Sequence, residues 1–258
     1  MADGPFRANL AEKLLLVALT KLTNFIPGAG IWMNTQRPEW NDANNALVGF
    51  GVSVVTLCYL RRYLAFCREL FRSAGTGPCE VSVELGQLLR AVDAVLQRHA
   101  GSLESPVEPV ERKRILDALG TAGSDYRASI YTHGFSGERE SLHPEQLRSF
   151  CDLALGHIDH AIRANRRDDG LYHSYNLMKV TGDGIDIRNL HLMLEGQVAV
   201  LSSGALSSGQ ALTLLDALRD SALYRPDQGS YMLYPDRVLP GFLNKNNVPA
   251  AAWPLLIC

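Results

Sequence analysis

The sequence lacks any cysteine pattern that would hold a zinc ion or a disulfide framework. No CxxC pair and no Cys/His cluster with zinc spacing occurs, and the cysteine count is odd. The five cysteines are scattered along the chain: Cys58, Cys67, Cys79, Cys151 and Cys258. This pattern indicates buried free thiols in a reducing compartment. We therefore expect a cytoplasmic protein without a bound metal ion.

Long apolar runs are also missing. The run at residues 48–60 ends after 13 residues at Arg61, whereas a membrane-spanning helix needs about 20. The first 22 residues carry an acid near their start and charges inside their apolar stretch. They predict an amphipathic helix, not a signal peptide. We therefore predict no membrane association.

Several functional motifs are absent as well. The net charge is −2 and no basic stripe mixed with aromatic residues occurs, which argues against a nucleic-acid partner. No GxxxxGK[ST] or GxGxxG loop follows a predicted strand, and no GxSxG segment occurs. These absences argue against common phosphate-binding loops and the serine-hydrolase elbow. The sequence does not indicate an oligomeric state.

What the chain does contain is a succession of helical patterns joined by polar and aromatic loops. The second predicted helix is open to a break near residues 49–51, and the fourth to a continuation over residues 125–134. Residues 166–188 form a long non-helical stretch with strand-like pieces. The predicted helices cover residues 9–22, 42–73, 81–99, 110–120, 141–165, 190–203 and 207–221.

This order predicts a mostly α fold, either a stack of helical hairpins or an α/α toroid, in which inner helices surround a cavity. We favour the toroid and treat residues 1–258 as one catalytic domain. A complete toroid of six hairpins has twelve helices, and about seven are predicted here. The apolar, uncapped ending AAAWPLLIC also favours an incomplete ring.

An unusually polar segment stands directly before the apolar run at residues 48–60. A carboxylic acid beside Trp and Asn suits sugar chemistry, because Trp offers an apolar face to a pyranose ring. Asn and Arg can bind hydroxyl groups, and the acid can protonate a leaving glycosidic oxygen. The candidate residues of this segment are Arg37, Glu39, Trp40, Asn41, Asp42 and Asn45.

The segment EWNDANNALVGFGVSVV resembles the DWND…N…G…ESVW segment of inverting glycoside phosphorylases that include cellobiose phosphorylase, and of the related cyclic β-1,2-glucan synthase domain. The resemblance covers about 20 of the 258 residues. It implies an (α/α)6 barrel with Asp42 as general acid. Glu39 stands where the family has its first Asp, and Val52 where it has Glu. The family's phosphate-binding residues have no match downstream, so both hydrolysis and phosphorolysis, with inorganic phosphate as co-substrate, remain open.

The alternative role for Asp42 is structural. An acid at this point can cap the following helix, and the helix dipole would then favour its carboxylate form. That effect opposes the raised pKa that a general acid needs, so burial or the neighbouring Glu39 would have to outweigh it.

Hydrolysis also requires a second carboxylate, and three segments could supply it. Glu195 lies in an apolar run at the start of a predicted helix and is our preferred candidate; its structural alternative is a first-turn Glu stabilised by the helix dipole. The pairs Asp168–Asp169 and Asp183–Asp186 lie in turn-like segments. Tyr172, His173 and Tyr175 follow the first pair and are our further candidates for substrate contacts.

Weaker features lie elsewhere. Tyr224, Arg225, Tyr231 and Tyr234 could line the rim of a cavity. His157 and His160 are three positions apart, which suits metal binding on a helix, but no third ligand accompanies them. We interpret the first group as ordinary loop packing and the histidine pair as part of a solvated or core-edge helix face.

Together these features predict a glycoside hydrolase or phosphorylase that acts on an oligosaccharide or glucan. Asp42 and Glu195 are its predicted catalytic residues. The predicted substrate-binding residues are Arg37, Glu39, Trp40, Asn41, Asn45, Tyr172, His173 and Tyr175. The alternative is a non-catalytic helical scaffold or carbohydrate-binding fragment of a larger enzyme. A third option is an epimerase or polysaccharide lyase, with His173 and either Tyr172 or Tyr175 as the proton-transfer pair.

Overall fold

The structure, a computed structural model, describes residues 6–34, 47–73, 75, 77–236, 238, 240–245 and 247. The described α-helices are α1 Leu10–Leu22, α2 Val54–Ser73, α3 Val83–Arg98, α4 Pro109–His133, α5 Pro144–Ala164, α6 Leu194–Ser203, α7 Ser208–Arg219 and α8 Phe242–Lys245. The described strands are β1 Phe25–Ile26, β2 Gly30–Trp32, β3 Gly51–Ser53, β4 Cys79–Ser82, β5 Arg139–Leu142, β6 Tyr175–Thr181, β7 Gly184–Asn189, β8 Tyr224–Arg225 and β9 Ser230–Tyr231. The prediction of a mostly helical chain is confirmed.

Several of the described helices begin at a capping residue. The Asn9 side chain accepts the Glu12 N–H, and the Glu12 side chain accepts the Asn9 N–H. The Ser82 and Ser207 side chains accept the N–H groups of Leu85 and Gln210 at the starts of α3 and α7. These bonds satisfy N–H groups that a helix start otherwise leaves without partners. Pro144 occupies the first turn of α5, where its missing N–H has no helical acceptor to lose.

The second helix was predicted to begin at residue 42, and this prediction is wrong for the described residues before Val54. Residues 51–53 form β3, and α2 begins only at Val54. A short apolar run suits either a strand or a buried helix. Here strand pairing decides the outcome, because β3 is hydrogen-bonded to both β2 and β6.

Helix α4 is longer than its first predicted segment. It runs unbroken past Gly120 to His133. Gly123 faces Thr23 so closely that an added Cβ atom would lie 2.9 Å from the Thr23 Cβ. The glycine therefore allows close packing of α4 against the end of α1 and does not end the helix.

The main sheet has five antiparallel strands in the order β1-β2-β3-β6-β7. One face packs Trp32, Val52 and Met178 against Leu116 of α4. The opposite face carries Tyr175 and Leu177, which pack with Leu47, Met193 and other apolar residues. The sheet thus separates two small apolar clusters, one on each of its faces.

The helices share one large core in which α2 is central. Helix α2 contacts α1, α5 and α6, while α3 packs on α1, α4 and α5. Arg61 of α2 donates to Asp159 of α5 and to the Ser203 carbonyl at the end of α6. Within the described ranges, no helix combines the length and apolarity needed to cross a bilayer.

Candidate functional site

The polar segment that carries the proposed general acid lies outside the described residues. Arg37, Glu39, Trp40, Asn41, Asp42 and Asn45 all belong to residues 35–46. The residues on either side are described. Asn34 has a left-handed backbone with φ of 44°, which Asn tolerates better than most residues. Leu47 is fully buried in one cluster with Tyr175 and Met193.

Tyr175 and Glu195, both candidates from the sequence, are in direct contact. The Tyr175 hydroxyl donates to Glu195 Oε2 over 2.6 Å. Tyr175 is 5% exposed, and Glu195 is only partly buried. In the described part of the chain, Glu195 Oε1 makes no hydrogen bond. Among the described residues, the carboxylate is thus held through Oε2 alone.

Two elements bring this pair together. Tyr175 begins β6, and Glu195 lies in the first turn of α6. Helix α6 is fixed against the chain before β6 because the Ser174 hydroxyl accepts the Gly196 N–H over 2.8 Å and donates to the Met193 carbonyl. Gln197 adds a two-way bond with the Tyr172 backbone, donating to its carbonyl and accepting its N–H.

The electrostatics of the pair follow from this packing. Burial raises the pKa of Tyr175 well above its ordinary value. The hydrogen bond to Glu195 and the negative charge of that carboxylate raise it further. Tyr175 therefore stays a protonated hydrogen-bond donor and is poorly suited to act as a base.

His173 and Tyr172 are placed differently from Tyr175. Burial lowers the pKa of His173, and the nearby positive charge of Arg167 lowers it further. Its Nδ1 atom is buried and, among the described residues, has no hydrogen-bond partner. Tyr172 is buried in the large helical core and not in the cluster of Tyr175. Of the three aromatic candidates, Tyr175 is the one bonded to Glu195.

The other candidate carboxylates lie on the surface, in turns or in strand β7. Asp169 accepts from the Arg167 guanidinium, and its neighbour Asp168 is exposed. Asp183 is exposed in the β6–β7 turn, and Asp186 accepts the Thr181 hydroxyl. These contacts account for all four acids as turn or surface residues.

The two paired histidines of α5 make structural contacts. His157 Nε2 lies 2.9 Å from the Leu96 carbonyl, and His160 Nε2 lies 3.0 Å from the Ser105 carbonyl. Across the described ranges, no group of three His, Cys, Asp or Glu residues could hold a metal ion.

The tyrosine-rich loop after α7 lies beside the start of α6. The Leu194 N–H donates to the Leu233 carbonyl, and the Tyr234 ring packs edge-on against His191. Tyr224 and Tyr231 face each other across β8 and β9 at 5.1 Å between ring centroids. The first of these contacts places residues 233–234 next to the element that carries Glu195.

Ser174 and Gln197, which orient Glu195 indirectly, are not among the site residues predicted from the sequence. One signal was present, because Gln197 is an uncharged polar residue inside the apolar run LEGQVAVL. A buried amide in such a run needs partners from another element, and those partners could not be read from the sequence.

Comparison with known proteins gives no relative from which a function could be transferred. No protein-family model matches the chain, and no curated protein matches it.

Proposed function

We propose that the protein cleaves glycosidic bonds, with Asp42 as general acid and Glu195 as the second carboxylate. The observation that carries the proposal is the contact between Tyr175 and Glu195. It leaves a partly exposed carboxylate whose Oε1 atom bonds to no other described residue, next to the cluster that includes Leu47. Asp42 precedes Leu47 by five positions, a stretch that can span at most about 18 Å. The covalent chain therefore permits the two acids to approach a common substrate.

In the hydrolytic form of the proposal, a water molecule sits between Glu195 and the anomeric carbon. Glu195 takes a proton from the water as its oxygen attacks, while Asp42 gives a proton to the leaving glycosidic oxygen. Inversion requires about 6.5–9.5 Å between the two carboxyl groups. Tyr175 is a positioning residue here, because its hydroxyl fixes the orientation of Glu195.

In the phosphorolytic form, phosphate is the nucleophile and Glu195 is not needed as a base. The test is an assay of β-linked glucose disaccharides and glucans, with and without inorganic phosphate. Hydrolysis without phosphate that is lost in both Asp42→Asn and Glu195→Gln supports the hydrolase. Phosphate-dependent cleavage that survives Glu195→Gln supports the phosphorylase.

Glu145→Gln is the matched control, because Glu145 is an exposed acid in the first turn of α5. Full activity in Asp42→Asn would end the proposal in both forms. Absence of turnover on every tested glycan, together with saccharide binding, would instead favour the non-catalytic alternative.

The α/α toroid is part of the same proposal. Its support is the packing of consecutive helices as pairs, α3 against α4 and α6 against α7. The five-stranded sheet is an addition to such a fold and would lie at one end of the helices.

A further inference from the structure

A concave surface lies on the face of the sheet opposite to Tyr175 and its partner Glu195. This groove, which we call the α4 groove, has a volume of about 820 Å³, within the ~300–1,000 Å³ typical of ligand sites. Helix α4 forms one wall and the sheet forms the other. Its lining includes Trp32, Asn34, Leu116, Gly120, Thr121 and Met178.

The floor and the rim of the α4 groove differ in chemistry. Trp32, Leu116 and Met178 belong to one apolar cluster and provide the floor. The Trp32 indole N–H donates to the Gly49 carbonyl over 2.9 Å, which fixes the ring in the floor of the groove. A fixed indole beside an open groove offers a flat apolar surface at little entropic cost.

The rim offers hydrogen-bonding groups with little net charge. Lys113 and Asp117 form an ion pair with each other, and Arg127 donates to the Ser124 hydroxyl. Asn34 and Thr121 make no side-chain hydrogen bond to another described residue, and both are exposed. Within the described part of the chain, these amide and hydroxyl groups are therefore not engaged.

We propose that the α4 groove binds a neutral oligosaccharide. A pyranose ring has an apolar face and a rim of hydroxyl groups, which matches an indole floor with an amide and hydroxyl border. The rim has one positive charge beyond its ion pair, which does not suit a polyanion. The ligand class rests on the proposed function. The groove itself is separate from Glu195, which lies beyond the opposite face of the sheet, and so serves as a remote subsite.

Gly120 provides a way to fill the groove without disturbing the core. An added Cβ atom at Gly120 meets nothing within 4 Å, and a helical glycine is less stable than a residue with a side chain. Gly120→Arg should therefore fold and place a long side chain in the groove. Gly209→Arg in α7 is the matched control, because its Cβ also meets nothing within 4 Å.

The experiment titrates cellotriose and a β-1,2-linked glucose trisaccharide into the Glu195→Gln chain, so that no cleavage interferes. The readouts are calorimetry and the Trp32 indole N–H resonance, assigned with Trp40→Phe and Trp253→Phe variants. We expect the Trp32 resonance to shift on binding, and the affinity to fall at least about tenfold in Gly120→Arg but not in Gly209→Arg. Thr121→Ala, which removes a hydroxyl without filling the groove, should also lower the affinity for the saccharide.

Binding that is unchanged in Gly120→Arg, or no Trp32 shift at saturating saccharide, would overturn the α4 groove as a saccharide site. The proposed function has its own readout, turnover by the unsubstituted chain. A chain that cleaves glycans without binding in the groove, and one that binds in the groove without cleaving, are therefore distinct outcomes.

Discussion

The acidic side chains of this protein differ in how completely their hydrogen-bonding capacity is used. Glu12, 3% exposed, accepts bonds from the N–H groups of Asn9 and Ser82 and from the Arg139 guanidinium. Asp159 accepts two bonds from Arg61. Glu195 accepts one bond, from Tyr175, among the described residues. A fully bonded carboxylate is suited to structure, whereas one with a free oxygen can serve a substrate.

The first prediction concerns Glu12. Burial alone raises the pKa of Glu12, but the N–H groups of Asn9 and Ser82 and the Arg139 guanidinium outweigh it and leave the pKa below its ordinary value. A lowered pKa in the folded state stabilises the protein above the unfolded-state pKa, and this stabilisation is lost as pH falls through the folded-state pKa. Glu12→Gln should lower the free energy of unfolding by about 3 kcal/mol at neutral pH.

Chemical denaturation at a series of pH values measures both effects. The difference between the unsubstituted chain and Glu12→Gln should shrink toward acid pH. Glu145→Gln is the control and should change stability by less than about 0.5 kcal/mol. A pH-independent difference would show that the charge of Glu12 contributes little.

The second prediction concerns Tyr175. Since burial and then the Glu195 carboxylate raise the pKa of Tyr175, Glu195→Gln should lower that pKa but leave it above its ordinary value. The raised pKa stabilises the folded chain below pH of about 10, the unfolded-state value, and this stabilisation is lost as pH rises further. NMR titration of the Tyr175 Cζ atom is the measurement. An unchanged titration in Glu195→Gln would contradict the contact.

At the scale of elements, the position of Glu195 depends on how closely α6 approaches the chain before β6. An added Cβ atom at Gly196 would lie 2.4 Å from the Ser174 hydroxyl oxygen and 2.9 Å from the Ser174 Cα. The Cα belongs to the backbone and cannot rotate away. The glycine after Glu195 is therefore a packing requirement.

The third prediction is that the same substitution has opposite effects at two glycines. Gly196→Ala should destabilise the chain by about 2 kcal/mol through overpacking and reduce any activity that depends on Glu195. Gly120→Ala, where the added Cβ atom has open space, should stabilise α4 by up to about 1 kcal/mol. Thermal unfolding of both variants is the measurement, and equal effects would contradict the close approach of α6.

The fourth prediction compares two ion pairs that join the same helices, α2 and α5. The Arg61–Asp159 pair has side chains 17% and 30% exposed, whereas the Arg68–Asp152 pair has side chains 46% and 56% exposed. We expect a coupling energy of about 1–2 kcal/mol for the first pair and below about 0.5 kcal/mol for the second. Double-mutant cycles with Arg→Met and Asp→Asn substitutions provide the measurement. A coupling for Arg68–Asp152 equal to that of the first pair would be inconsistent with the difference in burial.

The sequence predicted most helix starts because capping is a local property. The predicted starts at residues 9, 81, 141 and 207 lie within three positions of the observed starts of α1, α3, α5 and α7. It failed at residues 51–53, where an apolar run forms a strand because β2 and β6 flank it. That outcome depends on Tyr175, which pairs with Ser53 from a distant part of the chain.

At the scale of the whole molecule, the sheet joins distant segments that no local pattern connects. Strands β1 to β3 come from the first 53 residues, and β6 and β7 begin after residue 174. A row of amides, of which Asn165 and Asn176 are buried, continues this link. Asn176 donates to Asn165 and to the Ala29 carbonyl, and Asn189 donates to Asn176. This row fixes the end of α5, the β1–β2 turn and two strands to one another.

The candidate site was predictable in its residue types but not in its contacts. The sequence indicated Tyr175 and Glu195 separately, from an alternating strand pattern and from an acid in an apolar run. Their contact arises because Ser174 and Gly196 hold α6 against the strand, and this packing depends on tertiary structure. Three candidate substrate contacts follow Asp169: Tyr172, His173 and Tyr175. Of these, Tyr172 is a core residue because it packs among the helices.

In its hydrolytic form, the proposed function requires Asp42 and Glu195 to act on one glycosidic bond. The most direct measurement is an experimental structure of the unsubstituted chain with a thio-linked glucose disaccharide, which resists cleavage. For inverting hydrolysis we expect a separation of about 6.5–9.5 Å between the two carboxyl groups, with the sulfur atom next to Asp42. An Asp42 side chain that points into bulk solvent, with no saccharide between it and Glu195, would contradict it.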